Sequence, residues 1–244
     1  KYTYYSRTAE RDTNMNVLLP VDYTEEKKYP VLYILHGFWD SEDWMARPEV
    51  SLNIMLANLQ AQGFAKEMII VLPYIFCNKE LERCTGMDLV NANSYDNFIN
   101  DLILDVKPFV EKTFSVATGR ENAAVTGFSM GGKEALFISF VHPELFDYVG
   151  AACPAPGLVE ISGSSLHPGQ IKEEELAYPE NLTPEVVFVT SSLADGVVGP
   201  APKSYIDMMT KNGTDHIWHL LEDTWHDHTS VKPHLYNYLR MIFK

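Results

Sequence analysis

The pentapeptide Gly127-Phe128-Ser129-Met130-Gly131 constrains this chain more tightly than any other stretch. The apolar run Ala123-Ala124-Val125-Thr126 precedes it, and Gly132-Lys133-Glu134-Ala135-Leu136-Phe137 follows it. The first run reads as a buried strand, the second as the start of a helix. A serine between them sits at a sharp strand-to-helix turn. That turn strains the serine backbone, and a flanking Cβ would strike the neighbouring strand or helix, so glycine is needed on both sides. The helix start also presents free N–H groups to any anion that forms beside the serine. The bare G-x-S-x-G spacing arises by chance in roughly one chain in twelve of this size. The strand before it and the helix after it therefore carry the weight.

The rest of the chain offers that turn a suitable setting. Apolar runs of strand length alternate with longer helical patterns, as in βαβ units around a largely parallel sheet. Strands are expected at Tyr2–Arg7 and Met15–Leu19, as an antiparallel edge, and then at Tyr29–Leu35, Met68–Leu72, Tyr148–Ala152, Glu185–Thr190 and His216–Leu221. Helices are expected at Val50–Gln62, Tyr95–Phe114, Pro202–Asn212 and Val231–Phe243, with Pro108 kinking or shortening the second. The stretch Pro154–Asn181 has no clear period, and so long a loop inside a compact domain is usually functional. There is no internal repeat, linker or low-complexity tract. Residues 1–244 read as one domain with ample material for a core.

Composition excludes some partners. The net charge is −14, which repels phosphate backbones and anionic membrane surfaces, so no nucleic acid and no membrane are expected. No apolar run approaches the ~18 residues of a membrane span. The chain opens at Lys1 without a methionine or a signal-like segment, and so reads as a mature or excised domain. Of three cysteines, Cys77 and Cys84 flank a polar loop, where they are either a local disulfide of an oxidising compartment or two unpaired thiols. Cys153 reads as a small buried residue. No Cys/His grouping has zinc spacing, and neither a metal nor another cofactor is expected.

A nucleophilic serine needs a base and a group to orient that base. In the α/β-hydrolase fold the chain order is Ser, then Asp or Glu, then His, with each partner in a loop after a late strand. Strand Glu185–Thr190 is followed by Ser191-Ser192-Leu193-Ala194-Asp195, and strand His216–Leu221 by Glu222-Asp223-Thr224-Trp225-His226. Ser129, Asp195 and His226 are therefore the candidate triad. His228 competes for the base, and Asp195 alternatively serves as a helix cap or turn residue. Asp223 and Asp227 lie too close in sequence to His226 for the usual geometry. The other histidines read as structural, with His36 pinning a loop. Two backbone donors are expected to hold an oxyanion: Met130 N–H, directly after the serine, and Phe38 N–H, in the His36-Gly37-Phe38-Trp39 segment. Phe38, Trp39 and Trp44 either wall an acyl pocket or pack together.

At these residues the chain resembles the feruloyl esterases of carbohydrate esterase family one. The similarity runs through Tyr29–Gly37, Tyr95-Asp96-Asn97-Phe98, Gly127–Gly132, Pro154-Ala155-Pro156-Gly157, His226-Asp227 and Lys232-Pro233. The resemblance implies an α/β-hydrolase with a mostly parallel sheet, and it puts the family's nucleophile, acid and base on Ser129, Asp195 and His226. It implies a secreted, cofactor-free serine esterase. Its substrates would be feruloylated arabinoxylan or small hydroxycinnamate esters, and it would sit within a larger modular or cellulosomal enzyme. The chain departs from the family pattern in Asp223-Thr224-Trp225, where glycines often precede the histidine, and in the bulky Phe38-Trp39. These leave the acyl group open, with an acetylxylan esterase, a formylglutathione-type thioesterase and an inactive carbohydrate-binding module as alternatives. Trp39, Trp44 and Trp225 are the expected substrate-binding aromatics.

Overall fold

Strand β3 (Val31–Leu35) is buried along its whole length, and its alternation feeds two separate cores. Val31, Tyr33 and Leu35 enter one, Leu32 and Ile34 the other. The computed structural model, which describes residues 1–160 and 167–244, repeats this through β4 (Ile69–Pro73) and β5 (Ala123–Gly127). A strand apolar on both faces needs helices on both faces, and that is the α/β-hydrolase architecture seen. Helices α1 (Leu52–Ala61) and α7 (His228–Leu239) cover one side. On the other lie α2 (Leu89–Asp96), α3 (Phe98–Asp101), α4 (Lys107–Thr113), α5 (Met130–Val141) and α6 (Ala201–Lys211).

The remaining strands are β1 (Tyr2–Ser6), β2 (Arg11–Leu18), β6 (Tyr148–Ala152), β7 (Val186–Ser192) and β8 (Ile217–Leu221). The eight pair in the order β1-β2-β4-β3-β5-β6-β7-β8. Only β1 and β2 run antiparallel to their neighbours, as the expected edge. Strand β5 lies between β3 and β6, so the serine turn opens near the middle of the sheet.

Two helices differ from the sequence expectation. The helix expected over Tyr95–Phe114 starts earlier, at Leu89, and is interrupted by a π-helical turn over Leu102–Val106. Asp88 starts it, its side chain accepting from Asn91 N. Pro108 explains the interruption: it has no N–H for the carbonyl four residues back, that of Leu104. Arg7 supplies the missing donor, its guanidinium bonding both Leu104 O and Asp105. The closing helix starts at His228 rather than Val231, because Asp227 caps it, accepting from Thr229 N at 2.8 Å. Among the described residues, no helix is long and apolar enough to cross a membrane. Residues 161–166 of the expected Pro154–Asn181 loop lie outside the described residues.

The Cys77–Cys84 bridge does not form, and all three cysteines are free. Cys77 is buried, and burial together with the Asp101 carboxylate beside it holds its thiol far above the usual range. Asp101 also gathers Tyr4 Oη at 2.5 Å and Ser6 Oγ, so Cys77 belongs to a buried polar cluster. The Cys84 sulfur faces Gly86 O at 3.5 Å. Protein denatured without reductant should therefore titrate three thiols per chain; a single thiol would restore the bridge.

His234, on α7, is buried between two strands, bonded to Thr126 Oγ1 at 2.8 Å and Thr190 Oγ1 at 3.0 Å and stacked on Phe188. Burial, with the charge of His219, pushes its pKa down to about 3 from 6.5. Between those values the unfolded chain binds a proton that the folded chain refuses, so this histidine lowers stability as pH falls below 6.5. Its share is up to about 1.4 kcal/mol per pH unit. In urea titrations from pH 6.5 toward 4, His234→Asn should show a slope of unfolding free energy against pH shallower than wild type by about that amount. An unchanged slope would mean that the ring does not stay neutral in the fold.

Candidate active site

The serine turn is as strained as its sequence requires. Ser129 has φ 55° and ψ −115°. A Cβ on Gly127 would lie 2.3 Å from the backbone of Gly131, and one on Gly131 would lie 2.3 Å from Leu35 O and 2.5 Å from His36 O. The turn is held from outside by Ser129 N donating to Ala152 O at 2.9 Å, Phe128 N to Leu35 O at 3.1 Å and Ala155 N to Ser129 O at 2.9 Å. The ends of β3 and β6 thus pin it from both sides.

The two late loops deliver their side chains to this point. His226 Nε2 lies 2.9 Å from Ser129 Oγ, and His226 Nδ1 lies 2.6 Å from Asp195 Oδ2. A carboxylate only accepts, so Nδ1 carries the ring proton and Nε2 is left to accept from the serine hydroxyl. The other oxygen of Asp195 takes Val197 N at 2.9 Å and Val198 N at 3.2 Å. Asp195 thus serves its turn with one oxygen and faces His226 with the other. Burial raises the Asp195 pKa, but the His226 bond and charge and the two amides outweigh it and hold the carboxyl below its usual value. His226 is steadied by the tilted ring of Phe128, 4.6 Å away, and by its loop, where Ser192 Oγ donates to Thr224 O and Trp225 N to Thr229 Oγ1. His226 and not His228 bonds Ser129 and Asp195, and His228 is the first residue of α7.

The His36-Gly37 segment lies against the turn. His36 is buried, its Nε2 accepting from Ile75 N at 3.0 Å and its Nδ1 donating to Gly37 O at 2.8 Å. Burial lowers its pKa to about 4, against the pull of the Gly37 carbonyl, so a neutral ring pins the loop as expected. Of the amides that follow, Trp39 N donates to Tyr95 Oη at 3.1 Å, whereas Phe38 N has no acceptor among the described residues. Met130 is the first residue of α5, where helix N–H groups lack partners. The arrangement suits transfer of a serine proton to His226 and the holding of an oxyanion by backbone N–H groups.

The aromatics divide. Trp39 and Trp225 are more than half exposed. Trp225 lines a depression of about 430 Å³ with Leu193, Ala194, Glu222 and Asp223. Trp44 is half-buried: it stacks on Phe128 at 5.1 Å with an interplanar angle of 9°, and the Phe128 ring also meets His226. It therefore buttresses the site. The sequence reading missed a buried ionic cluster behind the turn. Lys133, fully buried on α5, pairs with Asp96 at 2.7 Å and Glu134 at 2.8 Å, and His167 Nε2 bonds the other Asp96 oxygen at 2.7 Å. Gln170 Nε2 adds a bond to Glu134 at 3.2 Å. The cluster fastens His167 and Gln170, of the loop after β6, to the helix that carries the turn. A charged pair on a short amphipathic pattern gave no sign of burial.

With this geometry the chain can be compared with known proteins. A family model named Esterase matches residues 6–230. The chain belongs to the esterase family. A CE1 ferulic acid esterase from Anaeromyces mucronatus, solved in complex with ferulic acid, superposes with a TM-score of 0.93 at 42% identity, over 99% of this chain and 89% of that one. This likeness places the esterase among the CE1 members. The endo-1,4-beta-xylanase/feruloyl esterase of Xylanibacter ruminicola is 29% identical over 177 residues, 70% of this chain and 22% of that protein. Endo-1,4-beta-xylanase Y of Acetivibrio thermocellus is 29% identical over 154 residues, 59% of this chain and 13% of that protein. The esterase thus spans about a fifth or less of these two relatives.

The closest backbone approach gives a test of the turn. Gly131→Ala should lower stability by about 3 kcal/mol or more, because its Cβ meets two carbonyls that cannot move without shifting β3. Gly196→Ala, beside Asp195 but with nothing within 4 Å of a Cβ, should shift stability by less than about 1 kcal/mol. Urea unfolding of both variants checks this, and equal effects would contradict the packing described.

Proposed function

We propose that this CE1 esterase is a serine carboxylic-ester hydrolase that releases ferulic and related hydroxycinnamic acids from xylan side chains. The observation that carries hydrolysis is the continuous chain from Ser129 Oγ through His226 to Asp195, at 2.9 and 2.6 Å. Support for the acyl group comes from the 42% identity to a protein named as a ferulic acid esterase and bound to ferulic acid.

In this reading Ser129 Oγ attacks the ester carbonyl carbon as its proton passes to His226 Nε2. The carbonyl oxygen becomes an oxyanion held by Phe38 N–H and Met130 N–H. As it collapses, the bond to the alcohol breaks, and His226 returns the proton to the departing alcohol oxygen. Water then attacks the acyl-serine, gives a proton to His226, and the acid leaves as Ser129 regains its hydrogen. Asp195 keeps the proton on Nδ1 and stabilises the imidazolium. Trp39 and Trp225 offer exposed faces for a planar cinnamoyl ring, where an offset contact adds about 0.5–1.5 kcal/mol. An ester carried on an insoluble polysaccharide is met outside the cell, so we assign the chain to the extracellular space. Residues 1–244 would act there as one esterase unit, and the length of the xylanase relatives favours a place in a modular enzyme.

Rates on methyl ferulate, p-nitrophenyl acetate and acetylated xylan test the reading. The expected result is a higher kcat/KM for methyl ferulate than for either acetate ester. Ser129→Ala and His226→Ala should lose several orders of magnitude in kcat, and Asp195→Asn about 10⁴, with the fold intact. A preference for acetylated xylan would move the acyl assignment to acetate. Labelling of Ser129→Ala by a fluorophosphonate would remove the serine from its role.

A further inference from the structure

Asp40 takes no part in the chemistry above, yet it faces the same space. Its N–H donates to Gly37 O at 3.3 Å, closing the turn that follows β3. Its carboxylate folds back over that turn. A Cβ on Gly37 would lie 2.9 Å from Asp40 Oδ2, 3.3 Å from Phe128 Cδ1 and 3.5 Å from Ser129 Cβ. Carboxylate and serine thus flank one point beside the glycine. The residue is half-buried, and among the described residues no side chain donates a hydrogen bond to its carboxylate. Burial pushes its pKa up to about 6, opposed by the charges of Arg47 and His226 and by the Gly37 amide. The neighbouring acids are committed, Asp195 to His226 and Asp227 to Thr229.

A half-buried carboxylate whose one protein donor is the Gly37 amide keeps acceptor positions that only water or a ligand bringing donors can fill. An ester brings two halves to Ser129. The acyl carbonyl oxygen has no hydrogen to give and becomes negative during the reaction, so Asp40 repels it. The alcohol half is different when it is a sugar, because its free hydroxyls are donors. It also leaves next to His226, whose charge Asp40 feels. We propose that Asp40 determines specificity for the alcohol half of the ester, accepting hydrogen bonds from the hydroxyl groups of a sugar leaving group beside Ser129 and His226. This rests on the ester-hydrolase reading of those two residues.

The test is the ratio of kcat/KM for a feruloylated arabinose over kcat/KM for methyl ferulate, whose alcohol brings no hydroxyl beyond the ester oxygen. Taking the ratio cancels effects on the triad that both esters share. Asp40→Ala should lower it about tenfold or more, the scale of one hydrogen bond to a charged acceptor. Asp40→Asn keeps the shape and a carbonyl acceptor, so it should lower the ratio by a smaller factor and guards against a folding defect in the alanine variant. A ratio unchanged in both variants would overturn the proposal, even if both rates fall, because Asp40 would then support only the loop. A wild-type protein inactive on both esters would instead overturn the hydrolase reading on which the proposal rests.

Discussion

The site depends on one close contact between backbones. Gly131, in the first turn of α5, lies directly against the carbonyls of Leu35 and His36 at the end of β3, leaving no room for a Cβ. That approach joins the start of α5 to the loop after β3. It also forces Ser129 into its positive φ, lifting the hydroxyl off the sheet edge toward the loops after β7 and β8. Strain of this kind costs of order 1–3 kcal/mol and persists only where the surroundings overdetermine it. Here β3, β6 and the helix all bond to the turn.

Burial of polar groups does the rest of the positioning. Lys133 is removed from water directly behind the turn, a state that is tolerable only because Asp96 and Glu134 both reach its ammonium. Burial would lower its pKa, but those two carboxylates hold it above the usual lysine value. The same Asp96 fixes His167, so the helix that bears the serine and the loop after β6 share one ionic anchor. His36 and His234 solve the opposite problem. Each stays neutral in the core by giving one ring nitrogen a donor and the other an acceptor, and each ties two segments that approach the site.

The late loops reach Ser129 because their partners are local. Asp195 spends one oxygen on the turn that follows it and the other on His226, so the loop that carries the acid is rigid at its first bend. His226 sits one residue before the cap of α7, and Asp227 fixes where that helix begins. Phe128, in contact with both Trp44 and the imidazole, links the serine turn to the histidine through ring contacts. A side chain inside the five-residue motif thus helps orient the imidazole that faces the motif's own serine.

How much of this was legible depended on how local the cause was. The parallel sheet, the turn at Ser129 and the chain order of Asp195 and His226 follow from periodicity, glycine sterics and connection rules, all of which act over a few neighbouring residues. The same holds for His36 as a loop pin. The role of Trp44 was not legible, because whether an indole is exposed or stacked depends on Phe128, far away in sequence. Nor was the fate of the cysteines, since seven residues of spacing permit a bridge while Asp101, brought in by the packing of α3, occupies Cys77 instead. The π-helical turn before Pro108 needed Arg7 from the opposite end of the chain's first hundred residues, and the burial of Lys133 needed Asp96 and His167. The sequence by itself determined the architecture and pointed to the three residues that the fold brings together, Ser129, Asp195 and His226, through backbone sterics, hydrophobic period and chain order. Only the tertiary structure decided which side chains are exposed, which polar groups are paired, and which carboxylate beside Ser129 is left without a side-chain donor, because partners distant in the chain supply those contacts.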